Sequence, residues 1–158
     1  MGRMVKRMKN KYQDIIEEYY RPLAEKFGLK LVYLDQWDYR IGNPFLLVGK
    51  DFVLRFSTYD FVYIHYYTKE ENGKYHWREI DDLIALSCTD RERTQIFRNN
   101  DDNLGKSLIL HALTLENYWK SLLMGDRNWI AEFNRCPWHH EKDVTLDEEI
   151  EMLRPYLK

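Results

Sequence analysis

Tyr12, Ile15, Ile16, Tyr19, Leu23 and Phe27 recur at steps of three and four, the spacing that lines one face of a helix, and Gly28 follows them as a stop signal. The spacing predicts a helix over about 10–27. Pro22 lies inside it and has no backbone N–H to donate. The helix is therefore expected to kink there, or to break and restart with proline in its first turn.

Between residues 30 and 77 the period shortens to runs rich in Val, Ile, Phe and Tyr. Turn chemistry separates them at Gly42-Asn43-Pro44, Gly49-Lys50-Asp51, Thr58-Tyr59-Asp60 and Asn72-Gly73. Strands are predicted over about 30–39, 45–48, 52–57, 61–68 and 75–78. Links this short imply an antiparallel meander of four to five strands.

Helical spacing then returns. Residues 79–86 predict a short helix, and 89–103 form a polar stretch without apolar period that is expected to be a mobile loop. The strongest helix is predicted over 104–124, with Leu104, Leu108, His111, Leu115, Trp119 and Leu122 on one stripe. Gly125 ends it, Asp126 can cap the next, and Trp129, Ile130 and Phe133 form another stripe. Thr145 and Glu148 have the spacing of a capping box for a last helix that stops near Pro155. The order predicts one α+β domain over residues 1–158, with the N-terminal helix and the C-terminal helices packed on one sheet face.

Side chains two apart on a strand share a face. Phe52, Leu54 and Phe56 make an apolar face, and Val62 and Ile64 extend it, which leaves Phe61, Tyr63, His65 and Tyr67 on the other. In the first strand Val32 and Leu34 are expected to point inward, with Tyr33, Asp35, Trp37 and Tyr39 outward. Two accounts of the outer face stay open. Tyr33, Asp35, Trp37, Tyr39, Tyr63, His65 and Tyr67 form a surface for a protein partner, or the C-terminal helices cover them as a second layer of core.

Composition narrows the function classes. Of 158 residues, 15% are aromatic and 32% charged, a combination that suits contact surfaces as well as cores. The two cysteines, Cys88 and Cys136, are too few for a disulfide framework, so a reducing, cytoplasmic location is expected. No stretch has the length of apolar sequence needed to span a bilayer. Arg3, Lys6, Arg7, Lys9 and Lys11 make the first eleven residues a basic segment, expected to be a frayed extension. The 24 basic residues less these five leave 19 against 26 acidic, a balance of −7 that disfavours nucleic acid as a partner.

Candidate chemistry is sparse. Cys136, His139, His140 and Glu141 bring potential metal ligands together, but their spacing matches neither a paired-thiol zinc site nor His-Glu-x-x-His, so no metal and no cofactor are expected. An enzyme or ligand-binding domain with a pocket near Cys136, His139 and His140, joined by His111 or the loop after Cys88, is the alternative to a binding protein. His111 reads more simply as a core histidine. Asp81 and Asp82 are adjacent and point in different directions on a helix. There is no Gly-rich phosphate loop and no Gly-x-Ser-x-Gly elbow, and the chain is not expected to be an enzyme.

The helix ending Glu25-Lys26-Phe27-Gly28, the strand pair over 45–48 and 52–56, and Leu122-Leu123-Met124-Gly125-Asp126 followed by Trp129 form a layout. That layout resembles small bacterial α+β proteins that serve as immunity proteins for polymorphic toxins. The resemblance implies a stoichiometric inhibitor that binds a cognate toxin domain and blocks its site, with no chemistry of its own. No residue with a defined role carries over from it.

Overall fold

A computed structural model describes residues 10–34, 42–96 and 103–158. The N-terminal apolar stripe forms a continuous helical segment: α1 (Gln13–Ile15), a π-helical turn over Ile16–Tyr20, and α2 (Arg21–Phe27). Pro22 sits in the first turn of α2, after the Arg21 N–H has reached back five residues to the Ile16 carbonyl. The wider turn places the residue without an N–H at a helix start, the restart that the sequence allows. Gly28 closes α2 at φ 67°, and the Leu29 N–H caps the Ala24 carbonyl.

Among the described residues six strands follow the chain in antiparallel order: β1 (Lys30–Tyr33), β2 (Phe45–Val48), β3 (Val53–Thr58), β4 (Val62–Lys69), β5 (Tyr75–Glu79) and β6 (His140–Asp143). The class is α+β, with six strands where four to five were expected. The additional strand is β6, whose His-Glu-Lys-Asp sequence carries no apolar alternation. It is held instead by pairing with β5 and by polar contacts across that edge, His76 Nδ1 lying 3.0 Å from Asp143 Oδ1 and Arg78 Nε 3.7 Å from Glu141 Oε2.

After β5 come α3 (Asp81–Ala85), α4 (Asp90–Ile96), α5 (Asn103–Tyr118), α6 (Lys120–Leu123) and α7 (Ile130–Arg135), then β6 and α8 (Asp147–Leu153). The helix α4 replaces part of the expected loop. Its signal is a capping box: the Glu92 N–H donates to Thr89 Oγ1 at 3.1 Å and the Thr89 N–H to Glu92 Oε1 at 2.9 Å. The helix expected over 104–124 breaks at Trp119, whose indole N–H donates to Ser87 Oγ at 2.9 Å. The capping box expected at Thr145 and Glu148 does not form, since α8 starts after Leu146 without a side-chain cap.

The core lies on both faces of the sheet. On one, Phe45, Leu47, Leu54, Phe56, Ile64 and Tyr66 pack against α1–α3 and α5–α7. On the other, Leu46, Val53, Tyr67 and Tyr75 pack against Val144, Leu153 and Leu157. The expectation that all helices share one face is thus corrected for α8. Its Ile150 and Leu153, with Leu157 just beyond its end, recur at steps of three and four and cover the opposite face. No helix among the described residues is long and apolar enough to cross a membrane.

Candidate functional site

Strand register decides where the expected contact residues go. Tyr33 pairs with Phe45, so it lies on the face of the main helical layer, where its hydroxyl donates to Glu17 Oε2 at 3.1 Å. Partial burial, then the Glu17 carboxylate, pushes its pKa up to about 12. Val32, opposite Leu46, faces α8. The inward and outward assignments of this strand are therefore reversed from expectation: Leu31 and Tyr33 meet the larger core, and a run this apolar on both sides gives alternation nothing to decide on.

Tyr67 lies on the expected face but is fully buried there, and its hydroxyl donates to Glu149 Oε2 of α8 at 2.7 Å. Of the two accounts of that face, the second core layer is correct for Tyr67. Tyr63 and His65 are half-buried. Asp35, Trp37 and Tyr39 lie outside the described residues.

A polar row crosses the face beside α8: Arg55, His65, Glu79 and His140 are directly opposite one another on β3, β4, β5 and β6. Arg55 Nη2 lies 3.0 Å from His65 Nδ1. A guanidinium can only donate, so this contact fixes His65 Nδ1 as the acceptor and places the ring proton on Nε2. Burial first, then the charges of Arg55 and His140, lower the pKa of His65 to about 3. Trp77 stands between the two imidazoles, 4.9 Å from His65 and 4.8 Å from His140 between centroids, edge to face with each. His140 Nδ1 approaches Glu79 Oε2 at 3.3 Å.

Glu79 is also where two clefts meet. The larger, of about 360 Å³, is lined among the described residues by Phe61, Val62, Tyr63, Glu79, Asp81, Asp82, Ala85, Ser107 and His111. The smaller, of about 20 Å³, is lined by Glu79, Asp82, Leu83, Phe133, Cys136, Trp138, His139 and His140. Glu79 and Asp82 belong to both, so they form the wall between them. Phe61, 66% exposed, stands on one side of this acidic wall and Trp138, 55% exposed, on the other. Tyr59, 61% exposed, lies on the same β3–β4 turn as Phe61. Tyr63 donates to Asp60 Oδ1 at 2.7 Å, a bond that, with burial, pushes its pKa up to about 12.

Inside the larger cleft the electrostatics are unusual. Asp81 is buried, and its Oδ1 accepts a long hydrogen bond from the Ile64 N–H at 3.3 Å. Burial is the main cause that raises its pKa to about 7, with Glu79 and Asp82 adding to it. His111, on α5, is also buried, and its Nδ1–H donates to the Ser107 carbonyl at 2.6 Å. Burial lowers its pKa, the Ser107 and Asp81 carbonyls opposing, so the neutral ring keeps a lone pair on Nε2. That buried Nε2 makes no hydrogen bond among the described residues. The sequence marks His111 as a core histidine, and its position agrees. The unpartnered nitrogen has no signature in spacing.

The alternative pocket near Cys136, His139 and His140 does assemble, since all three line the smaller cleft. A volume near 20 Å³ holds about one water molecule and no organic substrate. Cys136 Sγ donates to the Glu132 carbonyl at 3.6 Å, and His139 Nδ1 donates to the Cys136 carbonyl at 2.7 Å, so neither group is presented to the other as a nucleophile–base pair. Cys88 Sγ donates to the Ala85 carbonyl at 3.1 Å. Among the described residues no three His, Cys, Asp or Glu side chains are grouped to hold a metal ion. Of the basic segment over residues 1–11, residues 1–9 lie outside the described residues.

No protein-family model, no curated protein and no solved structure matches the chain.

Proposed function

We propose that the protein is a non-catalytic binding protein that neutralises a basic protein partner, of the kind an immunity protein forms with a cognate toxin domain. Its contact surface is the edge around Tyr59, Phe61, Tyr63, Glu79, Asp82 and Trp138. The observation that carries this reading is the pair of exposed rings, Phe61 and Trp138, standing on either side of the carboxylates of Glu79 and Asp82. Rigid aromatic rings supply contact area at low entropic cost, and fixed carboxylates select positive charge and steer its approach. The acidic balance of the chain beyond its first eleven residues favours the same partner chemistry.

A paired affinity capture from the lysate of the source cell tests it, with the wild type and Phe61→Ala/Trp138→Ala as baits. The expected result is one basic protein, in near-stoichiometric amount, held by the wild type and lost by the variant while the melting temperature is unchanged. Identical profiles from both baits, or no specific protein from either, would remove this surface as the binding site.

A further inference from the structure

The larger cleft has more to bind with than an acidic rim. Its floor holds two buried groups whose needs are unmet. His111 is 8% exposed, and with Nδ1–H committed to the Ser107 carbonyl its Nε2 is an acceptor that no described group satisfies. Asp81 is 9% exposed and forms no ion pair among the described residues, although Glu79 and Asp82 line the same space. A buried acceptor without a donor and a buried carboxyl without a cation are both costly, and one ligand chemistry relieves both: a positively charged group with several N–H donors. Phosphate and carboxylate ligands are excluded by the three carboxyl groups. A neutral apolar ligand would leave Nε2 and Asp81 as they are.

The walls agree with a cation on an aliphatic stem. Val62 and Ala85 give apolar sides, Tyr63 borders the cleft, and the exposed ring of Phe61 offers an aromatic face to a passing guanidinium. The volume, about 360 Å³, lies at the lower end of the range of about 300–1,000 Å³ typical of ligand pockets. A planar guanidinium has five donors in a fixed fork. It can meet an imidazole nitrogen and a carboxylate together, which a single ammonium does less completely.

We infer that the cleft between the β4–β5 sheet end, α3 and α5 is a socket for a guanidinium or ammonium group, supplied by an arginine or lysine side chain of the protein partner. This rests on the proposed binding role and names the group that the partner inserts. On docking, the cation satisfies Nε2 of His111 and neutralises the carboxyl of Asp81, and the stem passes Phe61 at the mouth.

The test uses the full chain and has two arms. In the first, acetyl-arginine amide is titrated while the side-chain nitrogens of His111 are followed by NMR, with acetyl-methionine amide as the neutral comparison. Saturable movement of the His111 Nε2 signal with the arginine probe alone, absent in Asp81→Asn, is expected. Asparagine keeps an oxygen for the Ile64 N–H, and the unperturbed His111 spectrum of the variant reports that the cleft is intact. In the second arm, the captured partner is measured against wild type and Asp81→Asn, with a loss of about tenfold or more expected. No saturable movement at His111, with the partner binding both chains equally, would overturn the socket and leave the binding role standing. Saturation by the probe with no partner captured would overturn the protein source and identify a free amine or guanidine as the ligand.

Discussion

The hydroxyl of Tyr67 donates to Glu149 Oε2 at 2.7 Å, joining the middle of the sheet to α8 across 82 positions of sequence. Arg55 Nη1 approaches the same oxygen at 3.7 Å, and the Tyr75 hydroxyl donates to the Leu157 carbonyl at 3.1 Å. Together these contacts fasten the C-terminal helix over a face that would otherwise expose Leu46, Val53 and Tyr67. Tyr67→Phe removes a buried hydrogen bond to a charged acceptor and is expected to cost about 2 kcal/mol in chemical denaturation. Stability unchanged by this substitution would mean that α8 does not pack here and that Tyr67 is surface.

His65 is expected to set part of the acid sensitivity. Its folded pKa is lowered from 6.5 to about 3, so the unfolded chain binds the proton more readily than the folded one between those values. The stability it contributes is complete above 6.5 and is lost as pH falls toward 3. At about pH 5 the loss amounts to roughly 2 kcal/mol at most. His65→Gln, which still offers an oxygen to Arg55, is expected to flatten the dependence of melting temperature on pH between 6.5 and 4. An acid limb as steep as that of the wild type would show that His65 titrates normally.

Asp81 acts in the opposite sense. Its folded pKa is raised from 3.8 to about 7, so the folded chain retains a proton that the unfolded chain releases, and stability is lost as pH rises through this window. The shift corresponds to at most about 4 kcal/mol, fully expressed only above pH 7. Asp81→Asn, facing the same Glu79, Asp82, Tyr63 and His111, is expected to raise the melting temperature at pH 8 and to leave it nearly unchanged at pH 4. Equal effects at both values would place the carboxyl in contact with solvent.

Phe61 and Trp138 are expected to contribute little to folding. Their rings are more than half exposed, and truncation to alanine should change unfolding free energy by no more than about 0.5 kcal/mol each. A loss several times larger would mean that the rings are packed, and the proposed contact surface would have to move.

Much of the fold was legible because periodicity and glycine punctuation act locally. The stripe from Tyr12 to Phe27, the stop at Gly28, the turns between strands and the buried face of the central helix all follow from spacing. What was not legible depends on contacts distant in sequence. The strand β6 has no apolar pattern and exists through pairing with β5, and the placement of α8 is decided by Leu46, Val53 and Tyr67, far upstream. The face of Tyr33 was unreadable for a related reason, since Leu31 and Val32 are both apolar and only pairing with β2 orders them. The capping box of α4 was present in Thr89 and Glu92, yet the polar character of the stretch concealed it. The cleft of Asp81 and His111 joins the end of the sheet to two helices, and no motif announces such a meeting.

Hydrogen exchange of the complex with the captured partner tests the binding surface most directly. The account predicts added protection confined to residues 58–63, 79–82 and 138–140, with α8 and the helical layer around Tyr20 unchanged. Protection centred on α8 or on that helical layer, with residues 58–63 and 79–82 unaltered, would contradict it.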